Sequence, residues 1–357
     1  MGRFGSKFNT VLELGTYEVR LLSLESAKPG EIRLKKCLST STPKDFVAST
    51  FIEYPIIDPM PLKKAVTSLV KESKLPYENV MMMLPDHAAL INLLITPPRY
   101  SKKEMDEAIK EDFVPIMPLP FESWHMVQQS IGSWEDDEVV LAMAIIKNNL
   151  LEAGNIVQQS GLNPTVVDLN FLNVANLIEH HLAASENKGK NICLIHLGNE
   201  STSIGVFRDG NLRVLQNRPI GAYDFSKQIS KHFHVPEADA DQFKRNEVCF
   251  LPEPSPEQDI QYNFTVIKNV FAILCREIFG TIESYLTKFR EFAIHEVIIS
   301  GGGANYENIN VALTTQLSLT TRVRRVCELY QLYVNGNPVD DSEKNSLAAA
   351  CGCYLRE

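Results

Sequence analysis

Three consecutive glycines at the end of an apolar stretch constrain this chain more than any other feature. Val297, Ile298 and Ile299 lead through Ser300 into Gly301, Gly302 and Gly303, and Ala304 then opens a helix-like segment. A side chain with a Cβ is penalised wherever φ must be positive or a ligand ring must press on the main chain, so this turn reads as a platform. Taken alone it fits a tight strand-to-helix turn without a ligand equally well, and its meaning depends on the surrounding chain.

That surrounding chain is duplicated. Residues 10–24, TVLELGTYEVRLLSL, read as strand, Gly-Thr turn and strand, with apolar residues alternating on both sides. Residues 191–208, NICLIHLGNESTSIGVFR, repeat the pattern about half the chain later, so two related halves each start with a glycine-tipped hairpin. Two such tips facing one another point backbone N–H groups at a shared cleft, and amide concavities of that kind bind phosphate without side-chain charge. The glycine triplet then becomes the adenosine side of the same cleft.

In the first half the hairpin is followed by a strand at 32–39, a helix at 60–73, and strands at 80–84 and 88–95 separated by Pro85-Asp86-His87. A Ser-Lys-Lys-Glu capping box at Ser101 starts a helix that ends before Pro115. Strands at 122–132 and 138–146, a helix at 148–160, a strand at 165–169 and a helix at 170–182 complete it. Polar residues 183–190, AASENKGK, read as a flexible linker. The second half continues with a strand at 212–217, helices at 224–234, 237–246 and 258–291, and the strand into Gly301. A helix, a strand at 320–326, a polar loop at 335–342 and a closing helix follow.

With 357 residues, 44% hydrophobic and 22% charged, the composition is that of a soluble globular protein of two or three domains. The net charge of -9 argues against a broad nucleic-acid footprint. No stretch approaches the roughly 18 apolar residues of a membrane span, so membrane association is expected to be indirect. Residues 1–9 lack the apolar run of a secretory signal, while Gly2 with Ser6 formally fits a myristoylation pattern. The seven cysteines are scattered as in a reduced, cytosolic protein. Cys351-Gly352-Cys353 has no second ligand pair and suits helix packing better than zinc.

The order of parts resembles the actin, sugar-kinase and Hsp70 superfamily, and most closely the PilM family of type IV pilus assembly proteins, relatives of the cell-division protein FtsA. LELGTYEVRL is similar to the first phosphate motif and GNESTSIGVFRDGNL to the second. RPIGAYDFSKQI is similar to the segment after it, ADADQFKR to an Ala-Glu-x-x-Lys helix, VIISGGGA to the adenosine motif, and LAAACGCYLRE to the closing helix. The resemblance implies an α/β, actin-like (ribonuclease H-like) duplicated two-lobed fold. Its subdomains would be 1A at 1–84 and 165–185, an FtsA/PilM-type 1C at 85–164, 2A at 186–223 and 292–357, and 2B at 224–291. It implies ATP or ADP held by Gly15, Thr16 and Arg20 on one side and by Gly198, Asn199, Ser201, Thr202 and Gly221 on the other. Asp241 and Lys244, then Gly301, Gly302, Gly303 and Asn305, complete the implied cofactor site.

The departures bear on chemistry. Each phosphate hairpin in the superfamily usually starts with an aspartate that helps hold hydrated Mg²⁺; here those positions are Glu13 and His196. Glutamate still accepts from metal-bound water, whereas neutral histidine removes a hard oxygen ligand. Ala222 stands where relatives often have a second glycine, and Asp241 replaces the helix glutamate. Weak nucleotide binding is expected, with Mg²⁺ touched at most by Glu13 through water and no useful hydrolysis, since no catalytic base stands out.

The resemblance also implies partners and place: the cytoplasmic face of the inner membrane, reached only through other proteins. The cytoplasmic tail of a PilN-like protein would lie in a groove between 1A and 1C, lined by 79–97 and the helix after Ser101, as an extended peptide. Ile91-Asn92-Leu93-Leu94 itself is similar to such a tail but fits an internal strand. Pilus motor and platform proteins, and a homo-oligomer or ring, are further implied partners. Two readings stay open beside this scaffold: an active ATPase or small-molecule kinase of the same fold, and an FtsA-like filament. The filament would want a basic amphipathic tail, which Leu355-Arg356-Glu357 does not provide.

Overall fold

The computed structural model describes residues 10–25, 31–43, 58–75, 79–117, 119–319 and 322–353. The pattern at Gly2 and Ser6 and the residues after Cys353 lie outside them.

The first hairpin is β1 (Thr10–Leu14) and β2 (Glu18–Glu25), antiparallel from Thr10↔Ser23 to Leu14↔Val19, with β3 (Glu31–Ser41) beside β2. Helix α1 (Pro59–Ser73) is capped by Asp58 and buries Leu62, Val66 and Leu69. It leads to the wholly buried β4 (Val80–Leu84), parallel to β1. The chain then leaves for a small unit of β5 (Leu90–Thr96), α2 (Lys102–Phe113), β6 (Trp124–Trp134) and β7 (Asp137–Ile146), a three-stranded sheet in the order β5-β7-β6. The Ser101–Glu104 capping box forms as read, and Met105, Ile109 and Phe113 of α2 pack with Leu94, Trp124, Val140 and Ala144. The run Ile91-Asn92-Leu93-Leu94 is part of β5 and pairs with β7.

Helix α3 (Lys147–Gln159) returns the chain to β8 (Pro164–Leu169), parallel to β4, and α4 (Asn170–Leu177) follows. The expected helix through residue 182 breaks at Ile178, and α5 (Glu179–Leu182) is a separate turn. The stretch expected to be a flexible linker is tied down. Asn187 is buried and donates to the His181 carbonyl, and the Gly189 amide donates to Asp209.

The second half repeats the first with β9 (Asn191–Leu197), β10 (Thr202–Arg208) and β11 (Asn211–Arg218). Helices α6 (Ala222–Phe233), α7 (Glu237–Glu247) and α8 (Gln258–Phe289) follow, then β12 (Glu296–Ser300), α9 (Ile309–Gln316) and β13 (Val323–Arg325). The sheet order β11-β10-β9-β12-β13 matches β3-β2-β1-β4-β8 strand for strand, including the antiparallel hairpin and the parallel returns. The duplication read from the two hairpins therefore extends through both sheets.

The first half of the polar loop expected at 335–342 is instead the turn and second strand of a hairpin. β14 (Gln331–Val334) and β15 (Asn337–Pro338) turn at Asn335 and Gly336, both with positive φ, and β14 runs parallel to β3. Residues 331–338 thus extend the first sheet to seven strands although the division expected from sequence groups 292–357 with the second half. Helix α10 (Asp341–Gly352) lies against α4 between the two sheets, where Phe171, Val174, Ala348 and Cys351 share a core with Leu22, Leu194 and Phe207. The close approach of α10 to α4 requires Gly352, whose added Cβ would stand 1.7 Å from the Asn173 carbonyl oxygen.

Candidate functional site

Between the lobes lies a cleft of about 410 Å³, walled by both hairpin tips, the glycine triplet, the turn after β4 and the first turns of α10. On the first wall, Gly15 allows a tight tip, since a Cβ there would meet the Glu18 carbonyl at 2.5 Å. Thr42 holds that tip from behind, its hydroxyl donating to the Gly15 carbonyl and its amide to Tyr17 O. On the second wall the Gly198 amide donates to Ser201 O, and the first amides of α6, from Ala222 and Tyr223, donate to the Gly198 and Asn199 carbonyls. Gly221 packs behind this tip, its virtual Cβ 2.4 Å from Asn199 O. The tips touch directly, Asn199 Nδ2 donating to Thr16 O at 3.3 Å.

The three glycines of the triplet differ. Gly301 has φ 87° and ψ 173°, a region open only to glycine, and a Cβ would sit 2.5 Å from Leu197 O. Gly303 would drive a Cβ to 2.3 Å from Leu197 Cγ. Gly302 meets nothing within 4 Å and lines the cleft, so it is the one that presents open backbone to a ligand.

Of the residues implied by sequence, Glu13, Gly15, Thr16, Arg20, Gly198, Asn199, Ser201, Gly301, Gly302 and Gly303 line the cleft. Arg20 is engaged already. Its guanidinium pairs with Glu13 at 3.1 Å and Glu18 at 2.8 Å and donates to Ser346 O, and these carboxylates raise its pKa against the opposing effect of burial. His196 is buried, with Nδ1 2.8 Å from Ser300 Oγ. Burial, helped by Arg20, lowers its pKa to about 4, so it is neutral near pH 7. The two hairpin starts therefore do not make the carboxylate pair a hydrated Mg²⁺ would want, and no group of three potential ligands converges among the described residues.

Thr202, Gly221, Asp241, Lys244 and Asn305 are outside the cleft lining. Thr202 donates to Ile220 O, and Asn305 bridges Ser342 O and Ser346 Oγ, tying the glycine turn to α10. Lys244 is fully buried. Its ammonium bonds Ala222 O, Ser226 Oγ and Asp241 Oδ1 at 2.7–2.9 Å, and burial lowers its pKa to about 8 against the pull of Asp241. For Asp241, burial pushes upward but Lys244 and Arg245 prevail, and its pKa falls to about 2.

Several lining residues were not singled out from sequence. Asp86 is buried, accepting from the Phe171 amide at 2.8 Å and Ser203 Oγ at 2.6 Å; burial outweighs both bonds and raises its pKa to about 6. Burial lowers His87 to about 4 and raises Glu200 to about 7. Asn170 Oδ1 and Glu200 Oε2 are buried acceptors without a hydrogen-bond partner among the described residues, a demand that a donor entering the cleft would meet. Tyr17, Arg245, Tyr306 and residues of α10 also line the cleft. The Pro85-Asp86-His87 break between two strands was the available sequence signal for Asp86; Arg245 was masked by its neighbour Lys244.

The fold has known counterparts. A family model described as type IV pilus assembly protein PilM matches residues 12–357. Among solved structures, a chain of a PilM–PilN type IV pilus biogenesis complex is similar with TM-score 0.79 and 19% identity, over 98% of each chain. The ethanolamine utilization protein EutJ from Carboxydothermus hydrogenoformans is similar with TM-score 0.52 and 12% identity, over 99% of this chain and 91% of that one. MreB 5 of Spiroplasma citri, bound to AMPPNP, is similar with TM-score 0.51 and 11% identity, over 98% and 95%. No curated protein matches. The duplicated sheets, the cleft between them and the end-to-end match together identify the chain as a member of the type IV pilus assembly protein PilM family, with its actin-like two-lobed α/β fold.

Proposed function

We propose that this chain is a nucleotide-binding scaffold of a type IV pilus machine, capturing the cytoplasmic tail of a PilN-like inner-membrane protein and linking it to the motor. The observation that carries the reading is the PilM family match across residues 12–357, joined to the likeness to a chain of a PilM–PilN type IV pilus biogenesis complex. No helix among the described residues is long and apolar enough to cross a membrane, in keeping with attachment through such a partner.

ATP or ADP would lie between the hairpin tips with its adenosine against Gly302, and the AMPPNP bound by the similar MreB 5 supports a nucleotide in a cleft of this kind. Gly15, Thr16, Gly198, Asn199 and Ser201 would meet the phosphates. Binding is weak and hydrolysis insignificant in this reading, because Glu13 is held by Arg20 and His196 is neutral. The tail would lie along the small unit, where Leu93, Leu94, Met105 and Ile109 are already core and the exposed Tyr100, Val114 and Ile116 remain for a partner.

Two measurements test this. Titration with a fluorescent ATP analogue, with and without Mg²⁺, is expected to show weak binding that does not require the metal; tight, strictly Mg²⁺-dependent binding with steady turnover would favour the ATPase reading. Pull-down with tail peptides of inner-membrane pilus proteins is expected to retain the PilN-like peptide, and its failure with and without ATP would remove the scaffold reading.

A further inference from the structure

Tyr17 stands at the tip of the first hairpin and reaches out of its own lobe. The residue is 43% exposed, its hydroxyl donates to Asp241 Oδ2 at 3.0 Å, and the Arg245 guanidinium lies over its ring, 4.8 Å from the centroid. Asp241 and Arg245 belong to α7 of the second lobe, so the contact crosses the mouth of the cleft beside the Asn199–Thr16 bond. A half-exposed aromatic at a hairpin tip gains little from burial, and its two specific contacts both lie on the other lobe.

The charges around it are unequally committed. Arg20 is paired with both Glu13 and Glu18 and bonds Ser346 O, and Lys244 is sealed beneath Asp241. Arg245 lines the cleft, and its one carboxylate partner among the described residues, Asp241, is shared with Lys244 and Tyr17. An anion entering the cleft therefore finds Arg245 as the cation with least to lose by turning toward it.

We propose that Tyr17, Asp241 and Arg245 form a strap across the cleft mouth, and that Arg245 is the group that reads the nucleotide's phosphate chain once the strap opens. The strap closes with the hydroxyl on Asp241 and the guanidinium on the ring; it opens when a polyphosphate draws Arg245 away. This rests on the nucleotide-binding reading above and adds to it a specificity residue and a gate.

The test uses the full chain. Tyr17→Phe removes one hydroxyl and keeps the ring; stopped-flow association of a fluorescent ATP analogue should quicken about fivefold with dissociation unchanged, because the strap is open in the bound state. Arg245→Gln should weaken ATP and ADP about tenfold while leaving adenosine affinity unchanged. An unchanged association rate in Tyr17→Phe, or equal losses for ATP and adenosine in Arg245→Gln, overturn the proposal. If the unaltered chain binds neither ATP nor adenosine, the nucleotide reading falls, and with it the role given to Arg245. The strap is then judged by amide exchange across 14–18 and 237–247, where faster exchange in Tyr17→Phe supports it and identical exchange overturns it.

Discussion

Gly302→Val separates what the glycine triplet does for folding from what it does for a ligand. The residue's virtual Cβ meets nothing within 4 Å, and its φ is not in the left-handed range, so the folded protein should lose no more than about 0.5 kcal/mol. The three added carbons project into the cleft, where a purine ring would otherwise lie at van der Waals distance from the backbone. Displacing such a ring forfeits about 2–3 kcal/mol, a fall of roughly 30-fold to 150-fold in affinity. Gly301→Ala behaves oppositely. It forces a non-glycine residue to φ 87° and ψ 173° with a Cβ 2.5 Å from Leu197 O, at a cost of about 3 kcal/mol in stability. The assay is a pair of urea denaturation curves alongside titration of a fluorescent ATP analogue. A Gly302→Val protein that binds nucleotide as the parent does would mean that no ligand ring rests there. One that loses stability as Gly301→Ala does would mean that the three glycines share one structural duty. Glu13→Ala is the control at the other end of the cleft, and it should change nucleotide affinity comparatively little.

Acid should weaken the fold partly through His196. Its pKa is about 4 in the folded state and 6.5 ordinarily, so between those values the unfolded chain binds the extra proton and stability falls as pH falls. Asp86, raised from 3.8 to about 6, works in the opposite direction over most of that window, while His87 adds to His196. His196→Asn should therefore flatten the decline in urea midpoint from about pH 6.5 to 4.5, and an unaltered decline would show the histidine titrating normally. Lys244→Met leaves Asp241 without its buried cation and should cost about 3 kcal/mol of stability, with nucleotide affinity intact in the folded fraction. A stable Lys244→Met protein that has lost ATP binding would return Lys244 to the nucleotide site. Gly352→Ala must push α10 off α4 and should cost about 3 kcal/mol or abolish folding; a loss below about 1 kcal/mol in denaturation would contradict the close helix approach.

What the sequence alone determined was local. The glycine-tipped hairpins, the Ser101 capping box, the helix at 60–73 and the duplication are legible because strand alternation, turn chemistry and capping depend on neighbours a few residues away. The cleft was legible too, since it follows from two hairpins and a glycine turn recurring in a known order. Tertiary structure decided which groups in that cleft are available. Lys244 follows the family's pattern in sequence, yet it is spent on Asp241, Ser226 and a carbonyl inside the second lobe. Glu13 is held by Arg20, and Asp86 is brought to the cleft floor by Ser203 and the Phe171 amide from distant parts of the chain. The hairpin at 331–338 joins the first sheet because β3 offers a free edge, which nothing within those eight residues reveals. Charge pairing, desolvation and edge pairing are set by what folding brings together, and a pattern of spacing does not say which near or distant group a charge will meet.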